Sequence, residues 1–314
     1  MTGHGHTALP RIGLFAGGTP ALAGPIGAAL LDAGLALAVH AGTRDDVCGL
    51  LAAGAAWSPT PAGLAAGCDL LLTALASPAD AETLLGGFEG VAQDARQRLL
   101  VVDFGTLAPR EVQAVAARLS AIGVDLLDVA QVDPGDASAA GGGARDGVRV
   151  EARVGLRVGG SAAAFERAQP VLSRLGSDVR HVGAIGAGRV VAGCHRVVEA
   201  LTLEAVAEAL TLARRLGADA ARVRAALAGG FAASHALDVH GARMLARDFA
   251  PGLRAGTHAD ALGVVIDEAH ALGLDLPGTA LVAQHLNALV GAGDGALDSC
   301  ALVKVLERMA GEAR

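Results

Sequence analysis

Tyrosine is absent from the 314 residues, and aromatic residues as a whole reach only 2%, with a single tryptophan. A chain without tyrosine has no phenolic general acid, which excludes one common reductase mechanism. Cysteine is scarce too: Cys48, Cys68, Cys194 and Cys300 are widely spaced and include no CxxC pair. That spacing argues against a disulfide framework or a zinc site, and for a reducing, cytoplasmic setting. Positive charge is not in excess, the net charge being −7. Neither nucleic acid nor a membrane surface is therefore expected as a partner. A long uncharged run, residues 12–31, holds Pro20, Pro25 and several glycines. It reads as strand, loop and helix, not as a signal peptide or membrane span.

What is there falls into two halves. After a tail expected to be disordered (residues 1–10, with its GHGH run), strand and helix patterns alternate. Strands are expected at Arg11–Phe15, Leu35–His40, Asp69–Leu75, Leu99–Phe104 and Val124–Val129. Ala152–Val158, whose alternating arginines suit a strand near a sheet edge, and Asp178–Val182 complete the set. Helices start at Pro25, near Thr43, at Ser77-Pro78 (to Leu85), at Ala108 (to Ile122) and after Ser161 (to Leu175). A flexible Gly-, Ala- and Asp-rich segment, Asp133–Gly147, interrupts them. Strand, glycine loop, helix and strand within the first 40 residues make a βαβ unit, which calls for a right-handed crossover and a parallel sheet.

From Gly186 to Gly217 the pattern changes to one proline-free helix, with Arg214 and Arg215 in its last turn. Beyond it, Ala220–Ala228, Ala232–Arg247, His258–Leu272, Thr279–Val290 and Ser299–Met309 all read as helices. The expected architecture is a Rossmann-type doubly wound parallel sheet domain (11–183) followed by an all-helical domain (184–314). The long helix 186–217 joins them, and a cleft between domains is where small ligands commonly bind.

The loop AGGTPALAG after the first strand suits a pyrophosphate cradle at a helix N-terminus. Ala16 stands where the first glycine of GxGxxG belongs, Gly18 serves as the second, and the third falls on Ala21 or Ala23. A glycine-rich turn without ligand stays open as the plainer reading. The second strand ends His40-Ala41-Gly42-Thr43-Arg44, with no acid to hold an adenosine ribose. Arg44 could meet a 2′-phosphate instead, or be a solvated arginine at a helix start.

These pieces, in this order, resemble the β-hydroxyacid dehydrogenases, the family of 3-hydroxyisobutyrate dehydrogenase and tartronate semialdehyde reductase. The similarity rests on Val101-Val102-Asp103-Phe104-Gly105-Thr106, on Val158-Gly159-Gly160, on His181 to Gly188, and on longer runs in the second half. Among the latter are Asp248-Phe249-Ala250-Pro251-Gly252, Leu276-Pro277-Gly278-Thr279-Ala280 and Ala301 to Glu307. The resemblance implies NAD(P)-dependent interconversion of a hydroxy acid with its aldehyde or keto form, and dimers or tetramers built through the helical domain. Here the expectation is NADP, with NAD possible, and a homodimer. Gly17, Gly18, Thr19, Pro20, Arg44, Leu75, Ala76 and Thr106 are the expected cofactor-binding positions.

The departures from the family fall on the chemistry. The family's catalytic lysine corresponds to Ala192, its substrate-steadying asparagine to His195, and the next residue to Arg196. The serine of its DxST is Gly105, its Ser-Gly-Gly loop reads Asp133-Pro134-Gly135, and its later Lys-Asp pair falls on Asp260-Ala261. Substrate contacts are thus expected from Asp133, Gly135, Arg196, Glu199 and Asp260, and no metal is expected. Histidine is a residue type that titrates near neutrality, so His195 is the candidate proton donor, with Glu199 one turn on to orient it. Two readings follow. One is an NAD(P)-dependent oxidoreductase with an altered site and a non-standard substrate, such as an imine or unusual carbonyl. The other is a non-catalytic paralogue that binds a nucleotide or metabolite.

Overall fold

The computed structural model describes residues 10–16, 20–88, 99–132 and 154–311. They form two compact units, residues 10–132 with 154–192, and residues 193–311.

The first unit holds eight strands: β1 (Ile12–Phe15), β2 (Leu37–His40), β3 (Ala56–Trp57), β4 (Leu70–Thr73), β5 (Leu100–Asp103), β6 (Asp125–Val132), β7 (Gly155–Gly159) and β8 (Asp178–Gly183). They make one sheet in the order β3-β2-β1-β4-β5-β6-β7-β8. Its helices are α1 (Pro20–Asp32), α2 (Cys48–Ala52), α3 (Pro61–Gly67), α4 (Pro78–Phe88), α5 (Pro109–Ala121) and α6 (Ala162–Leu175). The central strands are apolar on both faces because each face meets a separate core. Leu70, Leu72, Leu100 and Val102 pack with Ile26 and Leu30 of α1 and Val171 and Leu172 of α6. Leu71 and Val101 pack on the other side with Leu64, Leu84, Val112 and Leu119. Burying each such side chain contributes roughly 1.5–3 kcal/mol, which is what fixes the strand register.

The expected doubly wound sheet is present, with differences of detail. One pairing, β6 with β7, is antiparallel. β7 lies near the edge, as expected, with only β8 outside it. Arg157 accounts for the polarity of β7, since its guanidinium donates to the Asp178 side chain (2.9 Å) and carbonyl (3.0 Å) on the neighbouring strand. α1 begins at Pro20, so Pro25 lies inside the helix and does not open it. β3 and α3 were not expected. α3 has an ordinary start, with the Thr60 hydroxyl accepting from the Gly63 amide.

A 29-residue helix, α7 (Ala187–Arg215), follows, about 43 Å long at 1.5 Å per residue. Then come α8 (Ala220–Ala228), α9 (His235–Ala246), α10 (Ala255–Ala271), α11 (Pro277–Leu289) and α12 (Val303–Met309), the last preceded by a 3₁₀ turn, Ser299–Leu302. The second unit is helical among the described residues, apart from a single antiparallel bridge between Arg254 and Asp298. Its core joins Leu203, Val206 and Leu210 of α7 to Met244, Leu262, Val282 and Leu286. No helix among the described residues is long and apolar enough to cross a membrane.

Candidate active site

At the carboxyl ends of β4 and β5, and level with them midway along β6, the sheet unit buries three polar residues completely: Thr73, Asp103 and Asp128. Each has partners, as burial demands. The Asp103 carboxylate accepts from the Thr73 hydroxyl (2.7 Å) and the Leu75 amide (3.0 Å) through one oxygen. Its other oxygen meets the guanidinium of Arg189 at 2.6 Å. Arg189 also donates to the carbonyls of Val129 and Asp103 at 3.0 Å each. Asp128 accepts the backbone amides of Gly186 (2.7 Å) and Arg189 (2.8 Å), amides that the first turn of α7 leaves without a helical partner. A Cβ on Gly188 would lie 2.7 Å from the Asp128 carbonyl oxygen, so only glycine lets the helix start so close to β6. β5 and β6 thus clamp the turn of α7 that leads to Ala192.

The nucleotide end of such a sheet is at β1 and β2. Gly17, Gly18, Thr19, Asp133 and Gly135 lie outside the described residues, and Pro20 is the first residue of α1. At the end of β2, the imidazole of His40 stacks between Phe15 and Trp57, with ring centroids 5.9 and 5.6 Å away. Arg44 is exposed, and its guanidinium lies 5.6 Å over the Trp57 ring. Asp46 turns to its own Thr43, accepting from that residue's amide (2.7 Å) and hydroxyl (3.0 Å). This donor set, an exposed cation beside an aromatic face with Asp46 already engaged, fits the phosphorylated ribose of NADP. Leu75 is fully buried, and its carbonyl accepts the Thr106 amide at 2.8 Å. Ala76 and Thr106 are exposed beside it, the Ala76 amide being taken by Asp80.

In the helical unit, His195, Arg196 and Glu199 are partly buried neighbours on α7. Glu199 binds Arg196 at 2.7 Å, whereas the His195 Nε2 stands 3.9 Å from the same oxygen. Arg196 is therefore the main partner of Glu199, and His195 the looser one. Burial works against the Glu199 carboxylate, but its surroundings, the Arg196 guanidinium foremost, hold its pKa below the ordinary value. Asp260 is exposed on α10.

Sequence reasoning missed His258, which is fully buried two residues earlier. Neither of its ring nitrogens has a hydrogen-bond partner. Burial drives its pKa down to about 4 against the pull of Glu199, so it is neutral at pH 7. Arg189 was missed as well, although a lone arginine in an otherwise small and apolar helix start was a usable signal.

Two family models match the chain. The NAD-binding domain of 6-phosphogluconate dehydrogenase matches residues 17–183, and the NAD-binding domain of NADP-dependent 3-hydroxyisobutyrate dehydrogenase matches residues 186–306. The 2-hydroxy-3-oxopropionate reductase of Escherichia coli (strain K12) is 36% identical over 261 residues, 83% of this chain and 86% of that one. The chain belongs to the β-hydroxyacid dehydrogenase family. As a β-hydroxyacid dehydrogenase relative it is an NAD(P)-dependent oxidoreductase acting on a small molecule. The fold agrees. The Mycobacterium tuberculosis 3-hydroxyisobutyrate dehydrogenase with L-serine superposes with a TM-score of 0.79 at 24% identity, over 95% of this chain and 99% of that one. A variant imine reductase from Myxococcus stipitatus with NAD+ shares the fold more loosely (TM-score 0.60, 18% identity, 95% and 99% covered).

Proposed function

We propose that this β-hydroxyacid dehydrogenase relative uses NADP in preference to NAD and reduces an imine or unusual carbonyl instead of an ordinary β-hydroxy acid. One observation carries the reading: Ala192, one turn beyond the Arg189 clamp, offers no proton where the family resemblance implies a lysine. Reducing a carbonyl adds a hydride to carbon and a proton to oxygen, and an acid positioned for the second step is worth about 10²–10⁴ in rate. A preformed iminium is already protonated at nitrogen and needs only the hydride, which the bound nicotinamide supplies. Glu199, kept ionised and half-buried, offers a counter-charge to such a cation. Where a proton is required, His195 is the titratable side chain on α7 three residues past Ala192.

Hydride transfer from NADPH and NADH, tested across cyclic imines, keto acids and aldehydes, checks this. Turnover of an imine or atypical carbonyl is expected, with negligible reduction of 2-hydroxy-3-oxopropionate by NADPH or NADH and negligible oxidation of 3-hydroxyisobutyrate by NADP+ or NAD+. For a carbonyl substrate, His195→Ala lowers kcat at least about tenfold and leaves cofactor affinity unchanged. Robust activity on an ordinary β-hydroxy acid overturns the reading. The absence of hydride transfer to any of them points to a binding paralogue. Arg44→Ala is expected to weaken NADPH about tenfold, the worth of one charge-assisted hydrogen bond, and NADH little. Equal calorimetric affinities, indifferent to the substitution, remove Arg44 from the site. The same reading places the protein in the reducing cytoplasm, in keeping with its four free cysteines.

A further inference from the structure

The helical unit gathers a second set of chemistry-bearing groups, separate from the redox reading. His240 on α9 and Asp298 and Cys300, at the 3₁₀ turn before α12, each bring one ligand-type atom into a single cluster. These atoms lie within 4.8 Å of one another. The His240 Nδ1 is buried and has no hydrogen-bond partner, and it stands 3.7 Å from the Asp298 Oδ1. That is too long for a hydrogen bond. It is close to the separation of about 3.4 Å expected for two donors at about 2.1 Å on a tetrahedral ion.

The carboxylate is held in place from several sides. Its Oδ2 accepts from the Gly252 amide (2.8 Å) and faces the Arg243 guanidinium (3.0 Å), while its Oδ1 accepts the Cys300 amide (3.0 Å). Besides these bonds the carboxylate meets the Cys300 thiol, whose proton a metal ion would replace, and Arg243 and Gly252 on Oδ2 orient it as outer partners of a metal carboxylate do. Asp298 and Cys300 are fully buried. The fully buried His258, both nitrogens unpartnered, lies within electrostatic reach of Asp298 and His240. Polar atoms without protein partners in a dry interior cost free energy unless something else satisfies them.

We propose that His240 Nδ1, Asp298 Oδ1 and Cys300 Sγ bind a divalent transition-metal ion, zinc by the softness of the donor set, as a structural clip. Thiolate with imidazole selects zinc over magnesium or calcium. A dication with one thiolate and one carboxylate is neutral, so Arg243 stays paired without repulsion. The clip fastens α9 to a turn 58 residues further on, and closing so long a loop is where a metal link stabilises a fold most in principle. The cysteine spacing that argues against a zinc site in the sequence does not bear on donors brought together from separate elements.

The test uses the full chain, freed of metal by a chelator and then titrated with Zn²⁺ or Co²⁺ at pH 7. One equivalent of zinc is expected to bind and to raise the melting temperature. Cobalt is expected to show a thiolate charge-transfer absorption, which the histidines of the N-terminal tail cannot produce. Cys300→Ser removes that absorption, which separates this thiol from the exposed Cys48 and Cys194, and weakens zinc at least about tenfold. His240→Gln, at a partly exposed position, weakens zinc similarly and serves where the cysteine variant does not fold. Absence of the charge-transfer band in the wild type, or zinc affinity unchanged in both variants, overturns the proposal.

Discussion

A side chain at position 105 would drive its Cβ into the backbone oxygen and nitrogen of Leu75. Neither atom is free to swing aside, since the oxygen accepts the Thr106 amide and the nitrogen donates to buried Asp103. Gly105→Ser, which would rewrite the loop toward the family's DxST, is therefore expected to destabilise the sheet unit by about 1–3 kcal/mol. Urea denaturation against the wild type measures this, and an unchanged midpoint would show that the two loops can move apart. On the proposed reading, the same crowding means that Ala192→Lys with Gly105→Ser is expected to gain little activity on ordinary β-hydroxy acids, which an assay of the double variant checks. Groups that work as a constellation do not add.

At the level of elements, the start of α7 depends on a buried ion pair. Truncating one partner of such a pair typically costs about 3–5 kcal/mol, because the other charge stays buried. Arg189→Met is expected to lose stability in that range. Adding Asp103→Asn should recover part of it, since the amide oxygen still accepts from Thr73 and Leu75 while the stranded charge is gone. Thermal unfolding of the single and double variants decides, and a double variant no better than Arg189→Met would assign the loss to packing alone. This network was invisible in the sequence because Asp103 and Arg189 stand 86 residues apart. By contrast, α7 was legible almost to the residue, as was α8, because an uninterrupted 3.6-residue pattern needs no tertiary information. β3 has only two residues, too few for any periodicity. The antiparallel sense of β7 is set by its partner on the sheet, not by its own side chains. His258 lies in a helix whose sequence gives no sign that its ring is buried, since exposure there depends on how α10 rolls against its neighbours.

For the whole molecule, the second unit leaves part of α7 uncovered. Val198, Leu201 and Leu212 are exposed along the helix and Leu216 just past its end, and Leu281 is exposed on α11. An apolar stripe of that length is unusual on a monomer and suits an interface between copies. A homodimer through the helical unit is accordingly expected. Light scattering at micromolar concentration should return twice the chain mass. Leu201→Glu with Leu212→Glu should return a monomer with unchanged helix content. A wild-type monomer would remove the dimer from the account.

Trp57, the single tryptophan of a chain without tyrosine, lies under Arg44 and against His40 at the end of β2. Near-ultraviolet emission from this protein therefore comes essentially from one ring, at the spot where the adenosine end of a dinucleotide would arrive. The protein carries its own optical reporter there, needing no label. Reduced nicotinamide absorbs where indole emits, so quenching of Trp57 would follow cofactor arrival in real time. A 2′-phosphate that draws Arg44 off the ring would alter the emission in a way NADH does not.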